Sequence, residues 1–267
     1  MRSLNEQPPA FGKITDACGL FPTTERATML EACALSDKGC VRSNNEDFSL
    51  IDPEIGLYAL ADGMGGAKAG ERASRLAVET VCERILTAQS RNSQALLAAV
   101  EEANRRVLEA AGTDPTLEGM GTTLVVALEV GDELCIASVG DSRAYLLDHS
   151  GLRPVTEDQS WVNEVGRPLG LDEDALRNHP MRHVLTMAIG AGAPLEINYY
   201  SIHLQPENIL LMCSDGLHGV VDQERMETIL RDGGSHEGLD EKCRGLIDAA
   251  RRAGGPDNIT AVLLRAL

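Results

Sequence analysis

Apolar residues fall in short blocks along this chain, and the blocks change period. Met29–Ser36, Phe48–Ile51 and Gly56–Ala61 are brief apolar runs, parted by the turn residues Asp37-Lys38-Gly39 and Asp52-Pro53-Glu54. Strands joined by such short turns pair antiparallel, because a parallel pair needs a crossover of a dozen or so residues. From Ala69 to Ala88 the period turns helical, with Ala73, Leu76, Ala77, Val81 and Ile85 on one face. A second helix is predicted after a cap at Asn92 or Ser93. It carries Leu97, Val100, Val107, Leu108 and Ala111 and ends at Gly112 and Pro115.

Three strands follow, Thr122–Val130, Leu134–Val139 and Arg143–Leu147, with bends at Gly131-Asp132 and Gly140-Asp141. They are rich in Leu, Val and Ala and do not alternate cleanly, as befits strands covered on both faces. Residues 156–180 are polar and helical only in pieces, around Asp158–Val165 and Asp172–Arg177, which predicts a surface insertion. Strands resume at Ile197–Leu204 and Ile209–Cys213. Helices follow at Asp222–Leu230 and His236–Arg252, and the strand Ile259–Ala266 closes the chain. Strands and helices thus come in clumps. That predicts an α+β fold of two packed, mostly antiparallel sheets with helix pairs on the outer faces, and speaks against regular βαβ alternation.

Composition narrows this picture. The 267 residues, 43% of them hydrophobic, suffice for one large domain or two small ones. Only 3% are aromatic, so the core must be built from Leu, Val, Ile and Ala. A formal charge of −17 makes the chain a poor ligand for nucleic acid or an anionic membrane. The seven cysteines form no CxxC pair, which argues for reduced thiols and against a zinc cluster. No apolar run reaches the length of a membrane span. Residues 1–28 hold Pro8, Pro9 and Pro22 and lack the apolar segment of a signal peptide. They are expected to be a flexible N-terminal extension of a cytoplasmic protein.

The candidate chemistry begins at Asp62. An apolar run stops there at an acid, and Gly63, Gly65, Gly66 and Gly70 follow. An acid at the end of a buried strand costs free energy unless something pairs with it. A glycine beside it lets the backbone turn its own carbonyl toward the same ion, and Mg2+ or Mn2+ take such oxygens. A helix cap or a tight turn would use the same residues. The glycines fit neither phosphate-loop pattern, G-x-x-x-x-G-K-[ST] or G-x-G-x-x-G. Asp215-Gly216 and Asp257-Asn258 repeat the strand-end acid, and three such acids can converge on divalent metal ions.

Arg42, close to Glu46 and Asp47, suits either bidentate capture of a phosphate or an ordinary surface ion pair. Asp141 sits at a strand bend, where a hairpin turn is the commoner use. The six histidines show no HExxH spacing. His218, three residues after Asp215, is the one to watch, although a loop position would account for it. Ser214 lacks a nucleophile elbow, and Trp161 is expected to pack the insertion.

In order, Ser36–Asp47, Ala61–Gly66, Met120–Leu124, Val139–Arg143, Cys213–Leu217 and Gly255–Thr260 resemble the metal-dependent Ser/Thr protein phosphatases of type 2C, in their bacterial form. Within the insertion, Thr156–Asn163, Asn178–Pro180 and His183–Thr186 resemble them too. Each stretch is short, but six in the right order are specific. The resemblance covers residues 29–267, which predicts a single phosphatase domain with a flap at about 157–190. It implies a four-layer α-β-β-α sandwich, two antiparallel sheets flanked by helix pairs.

It also implies that Asp62 bridges two metal ions, Mn2+ or Mg2+, with the Gly63 carbonyl on one and Asp215 and Asp257 on the other. Glu46 and Asp47 would lie in or just behind that shell. Asp141 would help hold a weaker third ion. Arg42 would bind the substrate phosphate, making Arg42 and Asp62 the expected catalytic residues. The implied reaction is hydrolysis of phosphoserine and phosphothreonine in proteins by a metal-activated water, without a phosphoenzyme. The implied partners are phosphorylated proteins and a cognate Ser/Thr kinase. Met64 stands where eukaryotic relatives have a histidine proposed as general acid, Gly219 where many have Asp or Asn near the third metal, and Gln159 where a histidine is frequent. Two alternatives are a non-catalytic regulatory module, whose sign would be a lost metal acid, and a small-molecule phosphoesterase.

Overall fold

The computed structural model describes residues 30–192, 194–232 and 238–267. The expected N-terminal extension, Cys18 and the predicted helix start at His236 lie outside the described residues. The first strands are β1 (Leu30–Asp37), β2 (Asp47–Asp52) and β3 (Leu57–Met64), followed by helices α1 (Ala67–Thr87) and α2 (Ser93–Thr113). Next come β4 (Gly121–Thr122), β5 (Leu124–Val130), β6 (Glu133–Val139), β7 (Arg143–Asp148) and β8 (Gly151–Pro154). The insertion holds a wide π-helical turn, Val162–Gly166, and α3 (Glu173–Asn178). The chain finishes with β9 (Asn198–Ile202), β10 (Ile209–Cys213), α4 (Asp215–His218), α5 (Gln223–Arg231), α6 (Leu239–Arg252) and β11 (Ile259–Ala266).

Two sheets result. One has the order β1-β11-β10-β7-β8 and the other β2-β3-β5-β6-β9, with β4 pairing to β3. The pairings are antiparallel. Along β3 the side chains take alternate faces, as strand geometry requires. Leu57, Ala59 and Ala61 pack under α1 and α2 with Ala77, Val81, Val100 and Val107. Tyr58 and Leu60 face the other sheet and meet Leu146, Leu210, Met212, Val262 and Leu264 in the middle layer. On the far side Leu211, Cys213 and Leu263 pack against Leu217, Cys243, Leu246 and Ala250 of α4 and α6. The order is helix, sheet, sheet, helix, the expected four-layer sandwich. Both faces of the central strands are buried, which is why their sequences run apolar without alternating.

Local chemistry sets the boundaries. The Asn92 side chain accepts the Ala95 N–H at 2.9 Å and starts α2, and Asp222 caps α5 through the Arg225 N–H at 2.8 Å. The expected strand over 122–130 is split at Thr123. There the Thr123 N–H and the Thr122 hydroxyl both turn to the Asp62 carbonyl, at 2.9 and 2.8 Å. β3 runs two residues beyond its predicted end at Asp62 because β4 extends its pairing to Met64. β8 and α4 escape the apolar pattern, one being short with Arg153 and Pro154 in it, the other a single turn. Among the described residues no helix is long and apolar enough to cross a membrane.

The two-sided burial of β10 is testable. Leu210 faces the opposite sheet and Leu211 faces the helices, and both are inaccessible to solvent. Leu210→Ala and Leu211→Ala should each lower the unfolding free energy by about 2–5 kcal/mol in urea titrations. A loss at only one of the two positions would contradict the layered core.

Candidate metal centre

The acids singled out in the sequence come together where strands of both sheets end. Asp62 lies on β3 directly across from Asp47 on β2. Asp141 follows β6, Asp215 opens α4 just after β10, and Asp257 precedes β11. Arg42, Glu46, Asp62, Gly63, Asp141, Asp215 and Asp257 line one cleft of about 420 Å³. Asp47 lies behind that surface, buried.

Two glycines let the backbone close up at these corners. A Cβ on Gly63 would sit 2.2 Å from the Gly70 carbonyl oxygen, where β3 meets α1. One on Gly216 would sit 1.9 Å from the Asn258 carbonyl oxygen, where α4 meets the approach to β11. No side chain fits either gap. Asp62 and Asp215 are thus delivered by main chain in contact with main chain.

The electrostatics of this cluster favour a cation. Burial pushes the Asp62 carboxyl well above the ordinary carboxylate range, and the charges of Asp47, Asp215, Asp141 and Asp257 add to it. Asp215 is raised by burial and then by the charge of Asp257. Burial lifts Asp141 to about 7, helped by Asp215 and Asp158. It lifts Asp47 to about 6, even though the Ser214 and Thr260 hydroxyls donate to its Oδ2 at 2.8 and 2.6 Å. The other oxygen, Oδ1 of Asp47, is buried and has no hydrogen-bond partner.

The Arg42 guanidinium answers part of this charge, reaching Asp257 Oδ2 at 2.7 Å. Among the described residues, no three Asp, Glu, His or Cys side chains are gathered tightly enough to hold an ion by themselves. Mg2+ and Mn2+ do not require that. They take one or two carboxylates, backbone carbonyls and water, and this donor set of carboxylates and the Gly63 carbonyl fits them.

Asn258 is a site residue that the sequence did not flag. Its Oδ1 accepts the Glu46 N–H at 2.8 Å, and its Nδ2 donates to the carbonyls of Lys38 and Asn44 at 3.0 and 2.9 Å. One amide side chain thereby fixes the loop that carries Arg42 and Glu46. The position was visible beside Asp257, but nothing local reveals contacts more than two hundred residues away.

His218 is the last residue of α4, not a loop residue, and its Nε2 faces the Asp141 carbonyl at 3.0 Å. Burial lowers its pKa to about 4, with Arg143 adding to the effect, so it is neutral at physiological pH. Gly219 ends that helix and does not line the cleft.

His183, Leu185, Thr186, Met187, Ala188 and Ala191 line the cleft as well, and so does Met64. His183 is another cleft residue that the sequence reading did not single out as a site residue. Trp161 packs the insertion as expected, stacking on His179 with ring centroids 3.9 Å apart and planes 10° from parallel.

The acid cluster predicts an unusual pH dependence. Asp47, Asp62, Asp141 and Asp215 hold protons in the folded state that the unfolded chain releases near the ordinary carboxylate pKa of about 4. The folded state then binds more protons, so stability falls as pH rises. Calorimetry in chelator should show the wild-type protein losing stability between about pH 4 and pH 7. Asp62→Asn should flatten that slope and raise the pH 7 midpoint by ~2–4 °C or more, the shift worth about 1 kcal/mol in a chain this size. Superimposable profiles for the two proteins would remove the repulsion argument.

A family model described as "Protein phosphatase 2C" matches residues 42–244. The serine/threonine phosphatase stp of Listeria welshimeri is 37% identical over 243 residues, spanning 86% of this chain and 93% of that protein. The structure of the Streptococcus agalactiae serine/threonine phosphatase superimposes with a TM-score of 0.83 at 32% identity, covering 89% of this chain and all of the other. That of the catalytic domain of the phosphatase PstP, in complex with two manganese ions, does so with a TM-score of 0.78 at 33% identity, covering 89% and 98%. A chain with these acids, this sandwich and these relatives belongs to the protein phosphatase 2C family.

Proposed function

We propose that this protein is a metal-dependent serine/threonine protein phosphatase, hydrolysing phosphoserine and phosphothreonine esters in other proteins. The observation that carries the reading is the convergence of Asp62, Asp141, Asp215 and Asp257 with Arg42 in one cleft. Every acid that a working site of this family would need is present, so nothing favours a non-catalytic module. The proposed phosphatase domain is residues 29–267, with the flap at about 157–190.

Asp62, the Gly63 carbonyl, Asp215 and Asp257 would hold the divalent ions. The ions are Mn2+ or Mg2+, and Asp141 offers a corner for a weaker third. Bound there, they supply a Lewis acid that brings the pKa of a coordinated water toward neutrality and offsets charge on the phosphoryl oxygens. The chain's own residues do the rest. Asp47, fastened through Oδ2 by Ser214 and Thr260, adds fixed negative charge directly behind Asp62. Glu46 is buried at the cleft edge, its N–H held by Asn258.

Arg42 is half exposed and planar, and it can give up Asp257 to clamp a phosphate with two parallel bonds. Transfer of a phosphoryl group needs such positioning and charge stabilisation more than covalent chemistry. Met64 has no proton to give, so a water in the cleft would supply the proton to the leaving oxygen. The six cysteines among the described residues are free thiols, which suits a reducing cytoplasm. A substrate of this kind also calls for a Ser/Thr kinase that makes it.

Phosphate release from a phosphothreonine peptide should require Mn2+ or Mg2+ and stop on chelation. Arg42→Ala should lower kcat/KM by about 10–100-fold, the worth of a charged hydrogen-bonded contact, mostly through KM. Asp215→Asn should cost roughly 100-fold or more, mostly in kcat. Undiminished turnover in chelator, or faster release from nucleotides and sugar phosphates than from the peptide, would sink the reading.

A further inference from the structure

Gln159 sits at the root of the flap with only 4% of its surface exposed. All four of its polar groups are engaged. Its side-chain Oε1 accepts the Gly140 N–H at 2.9 Å, and its Nε2 donates to the Glu196 carbonyl at 3.0 Å. Its own N–H donates to the Gly140 carbonyl at 2.9 Å, and its carbonyl accepts the Thr186 N–H at 3.0 Å. One residue therefore ties together three separate pieces of chain. These are the turn that carries Asp141, the returning limb of the flap and the run into β9.

The tie is extended on both sides. Ser160 bridges to Leu185, and the Trp161 N–H reaches the Val184 carbonyl at 2.8 Å. Asp158, one residue earlier, takes the Arg143 guanidinium as a fork at 2.7 and 2.6 Å. Leu185 and Thr186 line the cleft, and so does Asp141. The cleft wall and the Asp141 corner thus share one hub.

We propose that Gln159 is a positioning residue, whose side-chain amide fixes the Asp141 turn against the run into β9 and so sets the register in which its main-chain carbonyl holds the substrate-facing limb of the flap. The site asks for one acceptor and one donor at a set separation, and an amide supplies them. A neutral imidazole offers the same pair, whereas methionine offers neither. The role deepens the phosphatase reading and rests on it, because the limb held in place is the wall against which a peptide would lie. A small phosphate ester that fills only the floor of the cleft does not use that wall.

The test compares Gln159→Met and Gln159→His with the wild type, all loaded with Mn2+, on a phosphothreonine peptide and on p-nitrophenyl phosphate. Gln159→Met orphans the Gly140 N–H and the Glu196 carbonyl, and should raise KM for the peptide about tenfold. It should leave KM for the small ester within about twofold and kcat on both little changed. Gln159→His should recover most of the peptide KM, and it covers the case in which Gln159→Met fails to fold. Hydrogen exchange should quicken at the Gly140 and Thr186 amides in Gln159→Met and return toward wild type in Gln159→His. Equal losses on both substrates, unchanged exchange at those amides, or no rescue by histidine would overturn the positioning role. Wild-type protein inert toward both esters would overturn the phosphatase reading instead, and the exchange measurements would still decide Gln159.

Discussion

Carboxylates crowded out of water repel one another, and in this protein Asp47, Asp62, Asp141, Asp215 and Asp257 are held together all the same. The free energy to do so comes from the sandwich. Asp62, Asp141, Asp215 and Asp257 each lie at or beside the end of a strand whose apolar side chains are buried on both faces, so they cannot retreat without disturbing the core. Hydroxyls and backbone amides offset part of the repulsion, as Ser214 and Thr260 do for Asp47. The remainder is left for a cation. Arg42 answers it in part, and the same guanidinium is the group best suited to meet a phosphate. On the proposed reading, metal binding and substrate recognition would both draw on one charge that the fold leaves unneutralised.

Much of this was legible in the chain. The strands over 209–213 and 259–266 have the limits their apolar runs predict, and Asn92 caps α2 where a capping residue stood before a helical period. The acids were legible as strand-end oddities, and their grouping followed from motif order. Their electrostatic coupling was not. It depends on register, which sets Asp47 opposite Asp62, and on how two sheets meet. Asn258, His183 and the bonds of Gln159 were hidden for the same reason. Their partners are distant in sequence, and a polar residue in a loop carries no periodic signal. β8 and α4 are too short to show a period at all.

The insertion illustrates how a polar segment becomes ordered without a large core of its own. Its limbs pair as a narrow ladder at Gln159–Trp161 and Val184–Thr186, and the chain leaving the second limb is clasped by α2. There Asn104 accepts the Gly190 N–H at 2.7 Å and donates to the Gly192 carbonyl at 3.3 Å. The stacked rings of Trp161 and His179 fill its interior. A segment held mostly by hydrogen bonds at its edges belongs to the lower end of a protein's local stabilities, the range from which binding loops are drawn.

The close approaches at Gly63 and Gly216 have a genetic consequence. The acids beside them are placed by backbone resting on backbone, so the rotamers of neighbouring side chains have little say in where the site forms. Loss-of-function alleles at this cleft should therefore sort into two phenotypes. Changes at the carboxylates leave an abundant, inert protein able to occupy its partners, and so able to act dominantly. Changes at the glycines pry the layers apart and yield a scarce protein, recessive because quality control removes it.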